Sequence, residues 1–172
     1  MQKSHHPDHD ESHSDDGIKH TRADATAGHA GAQFGLGLLL AGGTADYAQA
    51  MEWYTKAADQ NHRLAQFNLG LMYAQGQGVE KNETTAVLWI QRAAQGGDAG
   101  AQFNLGDRCG RSSAHQADTT APESRIESYK WFKLAAAQGY GQAMARCDAA
   151  TMRMTHEEVS EGNRRVTGFV QG

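Results

Sequence analysis

The chain has little of what would mark it as secreted, membrane-spanning or nucleic-acid-binding. It holds two cysteines, Cys109 and Cys147, with no CxxC and no set of spaced pairs. A disulfide-built scaffold is therefore excluded, and both are expected to be reduced packing residues. No apolar run approaches the roughly 20 residues of a membrane span, and the longest, residues 34–41, is interrupted by glycine. The opening Met-Gln-Lys-Ser-His-His-Pro-Asp lacks the apolar stretch of a secretory signal, which points to a soluble, cytoplasmic chain without membrane insertion. An excess of one charge is also missing from most of the molecule. The first 16 residues carry Lys3 against Asp8, Asp10, Glu11, Asp15 and Asp16, and that surplus equals the net charge of −4 for all 172 residues. The remainder is balanced, so no global field draws nucleic acid or an anionic membrane.

Proline is scarce, at two residues, while glycine is abundant at 20. Few prolines and many alanines favour helices, and so many glycines must then mark helix ends or close helix contacts. Comparison of the chain with itself supplies the frame. Ala65-Gln66-Phe67-Asn68-Leu69-Gly70 recurs as Ala101-Gln102-Phe103-Asn104-Leu105-Gly106 and nearly as Ala32-Gln33-Phe34-Gly35-Leu36-Gly37. Trp53, Trp89 and Trp131 stand in one register, each followed by an alanine pair at Ala57-Ala58, Ala93-Ala94 or Ala135-Ala136. Four registered units result, the last opening at Ala143.

Each unit reads as a helix A, a loop and a helix B. Helix A runs from the alanine of the AQFNLG-like segment to about Leu40, Ala74 or Cys109. Helix B opens at Asp46, Asn82 or Ser124, and Asp46 with Gln49 and Ser124 with Glu127 have capping-box spacing. The connecting loops are expected at residues 41–45, 74–81 and 110–123. Gly76, Gly78, Gly97 and Gly139 suit left-handed positions after helices. Gly70 and Gly106 fall inside helix A, where glycine costs about 1 kcal/mol relative to alanine, so close approach of the paired helix is implied. Thr155 and Glu158 cap a further helix running to about Val166. The expected fold is all-α, an α/α superhelix (solenoid) of antiparallel helix pairs over residues 21–154, preceded by a His/Asp-rich disordered tail, 1–20, and followed by a capping helix and tail, 155–172.

These residues resemble the Sel-one-like repeat family. Its pattern has an A-helix with alanine, leucine-glycine and tyrosine, a G-x-G-V loop, and then W-Y-x-K-A-A-x-Q-G. Unit two shows Ala65, Leu69-Gly70, Tyr73, Gly76-Gln77-Gly78-Val79, Asn82, Ala86, Trp89, Ala93-Ala94 and Gly97, and unit one supplies Trp53-Tyr54-Thr55-Lys56-Ala57-Ala58. Unit one lacks the G-x-G-V loop, unit three has Cys109 at the tyrosine position, and the last A-helix carries Asp148 where the others carry glycine. The resemblance implies a tetratricopeptide-like solenoid and a non-enzymatic adaptor that assembles proteins. It would act as a monomer, bind a protein or peptide on its concave A-helix face, and need no cofactor.

Two stripes run along helix A. Leu69 and Tyr73 mark the packing side. Phe34 and Leu38, Phe67 and Leu71, and Phe103 and Asp107 form a ladder on the other, with Asn68 and Asn104 beside it and Gln66 and Gln102 as further candidates to hold a peptide backbone. The same phenylalanines also suit burial between successive pairs. No GxSxG, SxxK, GxxxxGK or HExxH motif is present, since Ser160 stands where His156-Glu157 would need a second histidine. A hydrolase of the kind suggested for cysteine-rich relatives would lack their paired cysteines. His5, His6, His9 and His13 have the ligand types for zinc or nickel but no frame, which makes a metal carrier a weaker alternative. Asn82 is better explained as a helix cap than as a glycosylation acceptor, and Arg164-Arg165 as a helix-end charge complement.

Overall fold

The computed structural model describes residues 20–115 and 121–171. Helix alternates with short turns throughout, and no strand occurs among the described residues. A helix over residues 20–26 (α1) precedes α2 (Ala30–Leu39), α3 (Tyr47–Asp59), α4 (Arg63–Gln75), α5 (Glu83–Gln95), α6 (Ala99–His115), α7 (Ala121–Ala137), α8 (Ala143–Thr151) and α9 (His156–Gln171). The pairs α2/α3, α4/α5 and α6/α7 are the three A/B repeats, and each B helix also packs on the next A helix. This is the expected solenoid.

The A/B contact rests on glycine. A Cβ built at Gly70 would fall 2.6 Å from Ile90 Cγ1 and 3.1 Å from the Ala86 carbonyl oxygen. At Gly37 it would meet Tyr54 at 2.6 Å, and at Gly106 it would meet Phe132 at 2.7 Å. Tyr54, Ile90 and Phe132 each follow the repeat tryptophan, so one large B-helix side chain lies on one A-helix glycine in every pair. Asp148, in that register on α8, is exposed because no B helix covers it.

The B-to-A turns are equally regular. His62, Asp98 and Tyr140 donate their N–H groups to the carbonyls of Ala57, Ala93 and Ala135, at 3.1, 2.9 and 3.1 Å. The residue before each, Asn61, Gly97 or Gly139, has positive φ, as a Schellman ending requires. A buried glutamine then ties the new helix to the old one. Gln33, Gln66 and Gln102 donate from Nε2 to the carbonyls of Ala25, Ala58 and Ala94, at 3.2, 3.1 and 3.1 Å. Through the first of these bonds α1 stands to α2 as a B helix stands to the following A helix.

Several expected boundaries move. Unit one closes through a π-helical turn, Leu40–Thr44, ending on Ala45 with φ 54°. Helix α6 continues past Cys109 to His115, which shortens the expected 110–123 loop. Ser124 is not the cap of helix B, because α7 begins at Ala121; Pro122 sits in the first turn, where a missing N–H costs nothing. Glu127 therefore closes no capping box and instead pairs with Lys130 and Arg165. Asp46 and Asn82 do cap, accepting from the N–H groups of Gln49 and Thr85 at 3.1 and 3.0 Å.

Helix α9 packs against α7. Thr155 Oγ1 accepts from the Glu158 N–H at 3.2 Å while Glu158 accepts from the Thr155 N–H at 2.7 Å, a complete capping box. The helix runs to Gln171, so Arg165 is not at its end. It reaches back to Glu123 at 2.5 Å and Glu127 at 2.7 Å. Gly162 lies under Tyr129, and Phe169 meets Trp131 edge-on at 5.6 Å. Both cysteines are free thiols, and burial raises the pKa of each.

Candidate functional site

The ladder on the A helices consists of two kinds of residue. Phe34, Phe67 and Phe103 are half-buried and seal the junction with the next repeat. Phe34 stacks on His62 at 4.7 Å and meets Tyr54 at 5.8 Å. Phe103 lies 5.0 Å from Tyr140 and 5.4 Å from Phe132. Phe67 covers Gly100, where a Cβ would stand 3.0 Å from its ring. Each ring thus rests on the turn that starts the following A helix, which gives it a packing role independent of any partner.

His62 is part of this junction. Its Nδ1 accepts the Ala65 N–H at 3.3 Å as the N-cap of α4, which only the neutral ring can do. Burial, with nearby Arg63, holds its pKa below the ordinary value.

The other ladder residues face outward to different degrees. Leu38 is 46% exposed, and Leu71 and Asn68 are half-buried. Asn68 and Leu71 line a groove of about 130 Å3 with Ala41, Tyr47, Tyr54, Met72 and Gln75. Asn68 hydrogen-bonds the Tyr54 hydroxyl, whose pKa burial nevertheless raises. One repeat on, Ile90 replaces that tyrosine, and Asn104 Oδ1 is buried with no hydrogen-bond partner among the described residues. Asp107 is held by Arg111 at 2.8 Å and Arg146 at 3.6 Å. Gln66 and Gln102 are buried and donate to repeat carbonyls, so they are not free to hold a peptide backbone. His5, His6, His9 and His13 lie outside the described residues.

The same three helix pairs are matched by the Sel1 repeat, at residues 30–62, 63–98 and 99–140. The chain belongs to the Sel1 repeat family. Proteins of this family are typically protein-interaction scaffolds or regulators. Chitin synthase regulatory factor 3 of Schizosaccharomyces pombe is 32% identical over 142 residues, covering 78% of this chain and 15% of that protein. This Sel1 repeat chain thus spans about a seventh of that relative's length. Among solved structures, a Sel1 repeat protein from Oxalobacter formigenes matches with a TM-score of 0.65 and 32% identity, over 77% of this chain and 98% of that one. A protective antigen of uropathogenic Escherichia coli with the SLR fold matches with a TM-score of 0.76 and 26% identity, over 91% of this chain and 33% of the antigen.

The described residues of the Sel1 array contain no cluster of three or more potential metal ligands. None of its described helices is long and apolar enough to cross a membrane.

Proposed function

We propose that this Sel1 repeat chain is a protein-binding adaptor that holds a peptide or protein segment along the A-helix ladder and acts on other proteins without catalysing a reaction itself. The observation that carries the reading is the accessible part of the ladder. Leu38 is exposed on α2, and Leu71 and Asn68 open a groove on α4 in an array whose A/B contacts are already satisfied by glycine and alanine. Apolar groups beside a polar amide on a rigid helix suit a peptide, whose side chains seek the first and whose backbone seeks the second. The similarity to a chitin synthase regulatory factor fits a role in controlling or assembling an enzyme.

The test is affinity capture from the native cell, with the bound proteins identified by mass spectrometry. Wild type is compared with Leu38→Glu plus Leu71→Glu. These side chains are chosen over the phenylalanines, whose replacement would open the repeat junctions. A partner held by wild type and lost by the variant, with helicity unchanged by circular dichroism, is the expected result. Equal recovery by both proteins would remove the ladder as the binding surface.

A further inference from the structure

A groove opens at the first and at the third junction between successive repeats, and the two differ in size and charge. Six residues of the first groove are Tyr47, Tyr54, Asn68, Leu71, Met72 and Gln75. Advanced in repeat register, they become Arg125, Phe132, Arg146, Ala149, Ala150 and Arg153, all of which line a cleft of about 570 Å3 between α6, α7 and α8. Alanines in place of Leu71 and Met72 account for the larger space. Arginines in place of Tyr47, Asn68 and Gln75 account for the charge, and Arg111 adds a fourth guanidinium. At the middle junction the Tyr47 and Met72 positions are Glu83 and Arg108, which pair with each other, so the charge there is closed on itself.

The third cleft is not neutralised in that way. Asp107 divides itself between Arg111 and Arg146, and Glu158 holds Arg125 at 2.5 Å. Among the described residues Arg153 makes no ion pair and the buried Arg125 Nε has no acceptor. Arg146 on α8 and Arg153 in the turn after it are both exposed. The cleft also continues the A-helix ladder, whose third step, after Phe103, is Asp107 itself.

We propose that this cleft binds an acidic peptide segment of the protein partner, with Asp or Glu carboxylates taken by Arg111, Arg146 and Arg153 and the chain passing over Ala149 and Ala150. The inference rests on the adaptor reading above and specifies the chemistry of its partner. A guanidinium presents a fork of donors matched to a carboxylate. Three of them, on α6, on α8 and in the turn after α8, suit successive acidic side chains better than one small ion, and the volume admits several residues. An incoming carboxylate can also replace Asp107 as the acceptor for Arg146, whose present contact is long at 3.6 Å.

The experiment is fluorescence anisotropy on the full chain with a labelled ten-residue Asp/Glu peptide, the matching Asn/Gln peptide, and inorganic phosphate as a separate ligand. The acidic peptide is expected to bind with an affinity that falls as salt rises. Arg146→Gln with Arg153→Gln, one on α8 and one in the turn after it and both exposed, is expected to weaken binding about tenfold with helicity unchanged. Equal binding of the neutral peptide, no binding of the acidic peptide by wild type at low salt, or an unaffected double variant each overturns the proposal. So does saturation by phosphate alone. A full chain carrying D8N, D10N, E11Q, D15N and D16N is expected to bind the peptide as wild type does, and a large gain would show that the acidic head occupies the cleft instead. If partner capture still depends on Leu71 while no acidic peptide binds, the adaptor reading stands and this one fails; loss of both results removes both.

Discussion

A glycine and an aspartate in one register carry opposite expectations. Alanine at Gly70 gains about 1 kcal/mol of helix propensity but places a methyl against Ile90 and the Ala86 carbonyl, atoms a rigid pair cannot withdraw. Gly70→Ala is therefore expected to destabilise by about 1–3 kcal/mol in urea unfolding. Asp148 has no covering helix, so Asp148→Ala is expected to stabilise by about half a kcal/mol. His62 adds a pH dependence. Its folded pKa lies below the ordinary 6.5 because burial opposes the charged ring, so the unfolded chain takes up the proton first and favours unfolding. The contribution is intact above about pH 6.5 and is lost as pH falls through the folded pKa. Thermal melts between pH 7 and 5 should show a steeper loss in wild type than in His62→Asn, which caps without titrating. The glycine contacts were legible in the sequence because a helix interior tolerates such a residue only for a reason. The fates of Gln66 and Gln102 were not, since a polar side chain on a helix does not reveal whether it faces solvent or a carbonyl of the preceding helix.

At the scale of elements, most helices were legible because alanine spacing, caps and left-handed glycines agreed with one another. The errors fell where the repeat departs from its pattern. Ser124 has cap chemistry and capping-box spacing, yet α7 starts three residues earlier with Pro122 in its first turn. Residues 110–115, read as loop, extend α6. Helix α9 was expected from Thr155 and Glu158, but its length beyond Val166 depends on contacts with α7 that local sequence does not display. Thr155→Ala removes one half of that cap and is expected to cost about 1 kcal/mol. Because Phe169 shields Trp131, Phe169→Ala should shift the tryptophan emission to the red, a change that Val170→Ala, at a side chain 72% exposed, should not produce.

For the whole molecule, repetition makes the fold readable and also hides the site. The columns that build the solenoid, Gly70, Ala93, Trp89 and their equivalents, announce themselves by recurring. A binding surface is made where columns change, as when Tyr47, Asn68 and Gln75 give way to Arg125, Arg146 and Arg153. That change was visible in the sequence once the units were aligned, but a spatial cleft was needed to show that the three arginines converge. The Phe34, Phe67 and Phe103 ladder illustrates the converse, because conspicuous repetition there marks residues that join successive repeats. For the array as a whole, the expectation is a partner on the A-helix side. Its most direct test is photo-crosslinking with p-benzoylphenylalanine installed at Leu71 or, on the B-helix side, at Leu88, which is 55% exposed. A partner adduct is expected from position 71 and none from position 88; adducts from position 88 alone would place the partner on the B-helix side instead.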